Sequence, residues 1–254
     1  TALFCKHTSN KYSAYTLTEL LIVLGIFAML GGMTFSSFSG LQNTVKMNEY
    51  VLTLEQDIRS VQRAAMLLER NSGEKWIYGL GIDFGNVGST DGKYTVFKWC
   101  SPFDDYGNIA TRSALLAYDP NSDLGTPLGY GADKNGYINI SGGILESNNC
   151  DLSAYSSTLH ILSGYSQSLT TPKSTISIAP INDNVYARYV IFESVSGRAF
   201  FYDKDGVLLN FDSTGKMVET PEPFVITIKP YSNGNTRIIS IGNLSGKVTM
   251  QSTK

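Results

Sequence analysis

The sequence predicts an α+β protein in which one long N-terminal α-helix precedes a head of predominantly antiparallel β-strands. Three observations predict this class. Residues 20–45 contain no Asp, Glu, Lys or Arg, apolar residues then recur at helical spacing as far as Leu68, and β-rich segments separated by turn dipeptides fill the rest of the chain. The 254 residues therefore divide into a short cationic segment at 1–14, a helix at 15–70 and a globular β-rich head at 71–254.

The first half of the predicted helix is apolar on all sides, over about residues 17–40. A helix of about 20 apolar residues is long enough to cross a bilayer core of about 30 Å. The segment before it carries Lys6, His7 and Lys11 and no acid, which is typical of a flank that stays on the cytoplasmic side of a membrane. The sequence therefore predicts a single-pass transmembrane helix whose N-terminus starts inside the cell.

The second half of the helix is predicted to be amphipathic, because its apolar residues alternate in steps of four and three along one face. We expect this face to pack on the chain's own sheet, in preference to forming a free coiled-coil seam. The turn residues Asn71-Ser72-Gly73 are predicted to end the helix. The apolar positions are Met47, Val51, Leu54, Ile58, Val61, Ala65 and Leu68.

Glu19 is the one charge at the mouth of the apolar run. A charge within a membrane segment costs about 2.5 to 3.5 kcal/mol at mid-depth, so such a residue is a candidate for function. The small residue Ala14 and the aromatic Tyr15 precede it, and Glu19 is fifth when Tyr15 is counted as first. This stretch resembles the class III signal of type IV prepilins and type II secretion pseudopilins, and the resemblance covers about the first 55 residues.

The resemblance implies a type IV pilin-like fold, cleavage between Ala14 and Tyr15 by a prepilin peptidase, N-methylation of Tyr15, and an assembly role for Glu19 through pairing with a neighbour's N-terminus. Ala14 stands where the family usually has Gly, and Ser36 stands where a helix-bending Pro is common. The implied partners are other copies or related pilins, the prepilin peptidase, the inner-membrane assembly machinery, and the membrane before assembly. The implied location is the cytoplasmic membrane before assembly and an extracellular pilus filament afterwards.

The predicted function is therefore a structural subunit of a type IV pilus or pilus-like filament. The alternatives are a pseudopilin of a type II secretion system, a minor or tip pilin with an adhesive role, and a membrane-tethered binding domain that does not polymerise. No enzyme is predicted, because His160 is the only histidine left after cleavage and no G-x-S-x-G motif is present. The basic residues are scattered through the head, so no nucleic-acid partner is expected.

Two cysteines remain after cleavage, because Cys5 leaves with residues 1–14. Outside the cytoplasm an even pair most often forms a disulfide, so Cys100 and Cys150 are a candidate pair, and two separate buried thiols are the alternative. Closing a loop of about 50 residues would contribute roughly 4 kcal/mol in the chain-entropy model.

Three turns offer the alternating oxygen ligands of calcium loops, but none is followed by the Glu that an EF-hand requires. A plain hairpin turn is preferred for each, with calcium as the alternative, and no metal site or other cofactor is predicted. These turns are residues 119–123, 133–136 and 203–206.

The head is predicted to contain strands at its start and an antiparallel meander at its end, with long loops and short strands over residues 102–174. The predicted strands are residues 76–84, 94–100, 186–195, 198–202, 207–211, 224–229, 236–241 and 247–251.

Overall fold

The computed structural model describes residues 16–67, 69–74, 77–88, 92–100, 143–150, 158–165, 174–181, 184–209, 222–231, 235–243 and 245–253, with the side chains of residues 33–41 left undescribed. The chain divides into two compact units, Thr1–Thr44 and Val45–Lys254.

Helix α1 runs over Leu17–Met66, 50 residues, and so begins two residues later and ends four residues earlier than predicted. It ends at Met66 because the Glu69 N–H donates to the carbonyl of Ala64 at 3.0 Å, a bond that closes the last turn without continuing the helix. Gly73 has the positive φ of 85° expected of a left-handed glycine. It lies in the turn that follows the helix, where the Asn71 N–H donates to the Glu74 carboxylate at 2.6 Å.

The predicted membrane-spanning half requires correction. Within the described residues, no helix is both long enough and apolar enough to cross a membrane. The predicted fold class, which required an apolar half that spans a membrane, is wrong on this point. The predicted location as a single-pass protein of the cytoplasmic membrane is wrong for the same reason.

Two β-sheets form the described part of the head. The first sheet has six strands in the order β3-β4-β2-β1-β6-β7, and the second has four in the order β10-β9-β8-β5. All neighbours pair antiparallel except β3 and β4, which are parallel. The strands are β1 Ile77–Asp83, β2 Thr95–Cys100, β3 Ile144–Leu145, β4 Thr158–Ile161, β5 Ser174–Ile178, β6 Tyr189–Glu193, β7 Ala199–Tyr202, β8 Phe224–Pro230, β9 Thr236–Ile241 and β10 Val248–Thr253.

The predicted single meander at the end of the chain is wrong, because β6 and β7 belong to the first sheet and β8 to β10 to the second. The predicted strand at 207–211 is not a strand where it is described: residues 207–209 make an isolated bridge, between Tyr202 and Leu208, and residues 210–211 lie outside the described residues. Strands β3, β4 and β5 were not predicted individually. They are short and lie within or at the edge of the Gly- and Ser-rich middle, where propensity is weak.

The main core lies between the second half of α1 and the two sheets. Leu54, Ile58 and Val61 of α1 are fully buried and belong to the same apolar cluster as Ile82 of β1 and Ile226 of β8. The apolar spacing of residues 47–65 therefore marks a packed face, as the sequence predicted. A second, mostly aromatic cluster includes Tyr78, Trp99 and Tyr202, whose rings meet edge to face.

Cys100 and Cys150 form a disulfide with their Cα atoms 5.7 Å apart, which confirms the predicted pair. A buried ion pair lies beside it: the Lys98 ammonium is 2.5 Å from Glu74 Oε1, which also accepts the Cys150 N–H at 3.0 Å. Burial alone would raise the pKa of Glu74, but hydrogen bonds from Lys98, Asn71 and Cys150 outweigh it and hold that pKa below its usual value. The ion pair thus joins β2, the turn after α1 and the disulfide.

Candidate assembly site

The first part of α1, residues 17–30, exposes nearly all of its large apolar side chains. Their exposed fractions run from 48% for Val23 to 78% for Leu17. Soluble monomeric proteins rarely expose a continuous apolar surface of this kind, and such a surface marks an interaction site. The exposed side chains are Leu17, Leu20, Leu21, Ile22, Val23, Leu24, Ile26, Phe27, Met29 and Leu30.

Gly25, within this part of α1, and Gly31 and Gly32, just after it, have open space beside them. A Cβ atom added at Gly25, Gly31 or Gly32 would meet no atom within 4 Å. Small residues on a helix surface allow another backbone to approach closely. The segment therefore combines large apolar side chains with positions at which a neighbouring helix could pack tightly.

Thr16 and Glu19 form a reciprocal cap at the start of α1. The Thr16 N–H donates to Glu19 Oε2 at 2.9 Å, and so does the Thr16 hydroxyl. In return, the Glu19 N–H donates to Thr16 Oγ1 at 3.3 Å. This is the capping-box arrangement, in which a Thr and a Glu three residues later satisfy two backbone donors that the helix leaves unpaired.

The electrostatics of Glu19 follow from this cap. The backbone N–H and the hydroxyl of Thr16 hold the pKa of Glu19 below its usual value, because both hydrogen bonds favour the ionised carboxylate. The cap is therefore present at neutral pH and is lost as the pH falls through the lowered pKa of the folded chain. Glu19 remains exposed to solvent, so an anion stands at the edge of an apolar surface with its second oxygen available to a cation.

Of the predicted site residues, the structure describes Glu19, Cys100 and Cys150. Ala14 and Tyr15 lie outside the described residues, so cleavage between them and methylation of Tyr15 stay predictions. Thr16 was not predicted from the sequence as a site residue. The pattern Thr16-Leu17-Thr18-Glu19 is the sequence signature of a capping box and was sufficient to find it.

The other candidates from the sequence are His160 and the oxygen-rich turns, whose described side chains bond within the chain. His160 is 1% exposed and bonds through its two ring nitrogens to the Thr158 hydroxyl and the Ser147 carbonyl, as expected of a structural histidine. In the turn at 203–206, the Asp203 carboxylate accepts the N–H groups of Asp205 and Val207 at 2.8 Å each. The side chain of Asp203 therefore holds this turn by accepting backbone N–H groups. The turns at 119–123 and 133–136 lie outside the described residues.

Comparison of the chain with protein-family models, with curated proteins and with solved structures finds no match in any of the three.

Proposed function

We propose that this chain is a structural subunit of a type IV pilus or pilus-like filament, processed between Ala14 and Tyr15 by a prepilin peptidase and methylated on Tyr15. The observation that carries the proposal is the exposed apolar surface of residues 17–30 with one anion, Glu19, at its end. Residues 14–19 form the segment that resembles the processing signal of prepilins.

The apolar surface is large enough to drive assembly when several neighbours share it. Full burial of a large apolar side chain contributes about 1.5 to 3 kcal/mol. Covering about half of the surface that the ten side chains still expose would then contribute on the order of 5 kcal/mol. Association of two molecules costs an estimated 4 to 15 kcal/mol in lost freedom. The free energy of a single helix–helix contact is therefore barely sufficient for association, whereas a subunit enclosed by several helices buries enough apolar surface to offset this cost.

Glu19 sets the register of this packing. In the proposed filament its carboxylate pairs with the Tyr15 amine of an adjacent subunit, a group that exists only after cleavage. Two charges enclosed by apolar helices have few other polar groups to bond with, and removing one partner of such an ion pair costs about 3 to 5 kcal/mol. Because the contact joins two different surfaces, it can repeat from one subunit to the next, and in the proposed filament the rotation does not close, so that the assembly extends into a fibre.

The test compares two conservative substitutions on the same helix. Glu19→Gln keeps the size of the side chain and removes its charge, and Glu49→Gln does the same at an exposed position outside the proposed contact. Each variant is produced with a prepilin peptidase and the assembly machinery, and filaments are counted by electron microscopy. We expect Glu19→Gln to lower the filament yield at least tenfold and Glu49→Gln to leave it unchanged.

The outcome that contradicts the proposal is an equal filament yield from both variants, with the Glu19→Gln chain identified in the filaments by mass spectrometry. The mass of the subunit reports on processing in the same material. The proposal expects a chain that begins at Tyr15, and filaments built of chains that retain residues 1–14 would contradict the cleavage.

A further inference from the structure

The turn between β6 and β7 contains a residue in a strained backbone conformation. Val195 has a φ of 71°, which lies in the left-handed region and is an outlier for a β-branched residue. The cost of this conformation lowers its population about five- to thirtyfold relative to ordinary backbone. The Val195 side chain is 52% exposed, so burial of that side chain does little to offset the cost.

The two ends of this turn are fixed to the first sheet. Ser194 is buried, its N–H donates to the Tyr78 carbonyl at 3.0 Å, and its hydroxyl donates to the Ile77 carbonyl at 2.7 Å. At the other end, the Gly197 N–H donates to the Glu193 carbonyl at 2.9 Å and closes the hairpin. The strained residue therefore lies between two fixed points.

The same turn is bonded to the end of α1. The Val195 N–H donates to the Ala65 carbonyl at 3.1 Å. This carbonyl is among the last four of α1, which a helix leaves without intrahelical partners. The Gln62 side-chain amide donates to the Gly197 carbonyl at 3.0 Å. The turn therefore caps the C-terminus of α1 with one backbone N–H and is held there by a second hydrogen bond.

Two glycines allow these elements to approach closely. A Cβ atom added at Gly197 would lie 2.6 Å from Met66 Cγ. A Cβ atom added at Gly246, in the turn between β9 and β10, would collide with the Gln62 side-chain amide and with the Gly197 carbonyl. The turn of the first sheet, the turn of the second sheet and the end of α1 therefore meet at Gln62.

We infer that residues 194–197 form a strained clasp on the end of α1, which opens locally while the first sheet stays folded. A strained conformation persists only where surrounding contacts impose it. The contacts of the clasp with the first sheet are buried or belong to the hairpin, whereas its contacts with α1 are two hydrogen bonds at a helix end, so the α1 side should separate first. Opening returns Val195 to ordinary backbone and frees the last turn of α1. The clasp thus sets how firmly the end of α1 is fixed to the head, and it does not depend on the filament proposed above.

The experiment measures backbone amide exchange by NMR in the dispersed full chain and in three variants, with each rate corrected for the intrinsic rate of its residue. Val195→Gly adopts the left-handed conformation without cost, whereas Val195→Ala shortens the side chain and keeps the backbone cost. Gln62→Ala removes one of the two hydrogen bonds to α1. The amide of residue 195 reports on the clasp, and that of Glu69, which donates to the Ala64 carbonyl, reports on the end of α1. The amide of Phe192 in β6 reports on the first sheet.

In the native chain we expect the amides of Val195 and Glu69 to exchange at least about tenfold faster than that of Phe192, because local opening does not require the sheet to unfold. Val195→Gly should slow the exchange of the residue 195 and Glu69 amides about five- to thirtyfold, and Val195→Ala by less than about threefold. Gln62→Ala should quicken it about fivefold, the equivalent of one lost hydrogen bond.

Three results would overturn the inference. Equal exchange of the Val195 and Phe192 amides in the native chain would show that the turn opens only when the sheet unfolds. Equal slowing by Val195→Gly and Val195→Ala would assign the effect to the side chain and not to backbone strain. A Glu69 amide that keeps its rate in variants that change the rate at residue 195 would show that the clasp does not control the end of α1.

Discussion

Two parts of helix α1 differ in how far their side chains are buried. Leu24, in residues 17–30, is 57% exposed, whereas Leu54, in the second half, is fully buried. Both residues are leucines in one continuous helix, so helix propensity does not distinguish them. The second half of α1 is therefore part of the core of its own chain. The apolar surface of residues 17–30, by contrast, is not buried by other described residues of the unit Thr1–Thr44.

Two carboxylates extend the comparison. Glu19 is exposed and, within the described residues, bonds to Thr16 in its own helical turn, so its carboxylate can exchange partners. Glu74 is buried, with its side chain 3% exposed, and is fixed by Lys98 and by two backbone N–H groups. One carboxylate is placed for an external cation, and the other for internal stability.

The largest effect is expected at the buried ion pair. Lys98→Met leaves the Glu74 carboxylate buried without its cation, which costs about 3 to 5 kcal/mol. We expect the free energy of unfolding, measured in urea, to fall by about that amount. Glu74→Gln combined with Lys98→Met removes both charges and should recover part of the loss. If Lys98→Met alone unfolds at the wild-type urea concentration, the pair is not the structural link described here.

A matched pair of leucines tests the comparison within α1. Leu54→Ala removes a buried side chain and leaves a cavity, which costs about 2 to 5 kcal/mol of unfolding free energy. Leu24→Ala should change that free energy by less than about 0.5 kcal/mol, as surface substitutions do. Urea unfolding of the two variants provides the measurement. A similar loss for both would mean that residues 17–30 belong to the folded core.

A smaller effect is expected at the start of the helix. Thr16→Ala removes the hydroxyl from the capping box, and Thr16→Ser keeps it. Loss of a cap of this type corresponds to about a fivefold shift in local helix opening. We expect amide exchange at Glu19 and Leu20 to quicken by about that factor in Thr16→Ala, with little change in Thr16→Ser. Equal exchange rates in the two variants would show that the cap does not form in solution.

The sequence predicted those parts of the fold that leave a periodic pattern. The apolar spacing of residues 47–65 marks the buried face of α1 because a helix repeats every 3.6 residues, and the pairing of Cys100 with Cys150 followed from counting cysteines. The pairing of the strands could not be predicted from the sequence, because β6 and β8 have similar apolar alternation and no local feature assigns them to different sheets. The membrane-spanning half was predicted from the length of the apolar run and its cationic flank, but within the described residues no helix is both long enough and apolar enough to cross a membrane.

The two residues of the cap at the start of α1 also differ in how readily the sequence identifies them. Glu19 stood out because a charge in an apolar run is rare. Its partner Thr16 was overlooked although it follows a known local signature.

The most direct test of the central claim asks whether assembly covers residues 17–30. Leu24→Cys and Tyr231→Cys place a thiol at exposed positions in the two units, with exposed fractions of 57% and 72% for the native residues. Maleimide labelling is compared in dispersed chains and in assembled material, with Cys5 replaced by Ser in both variants. If assembly covers residues 17–30, the thiol of Leu24→Cys reacts in dispersed chains and is protected at least tenfold in assembled material. The thiol of Tyr231→Cys should react in both states, which shows that the reagent has access. Equal labelling of Leu24→Cys in the two states would contradict the proposal that residues 17–30 are covered on assembly.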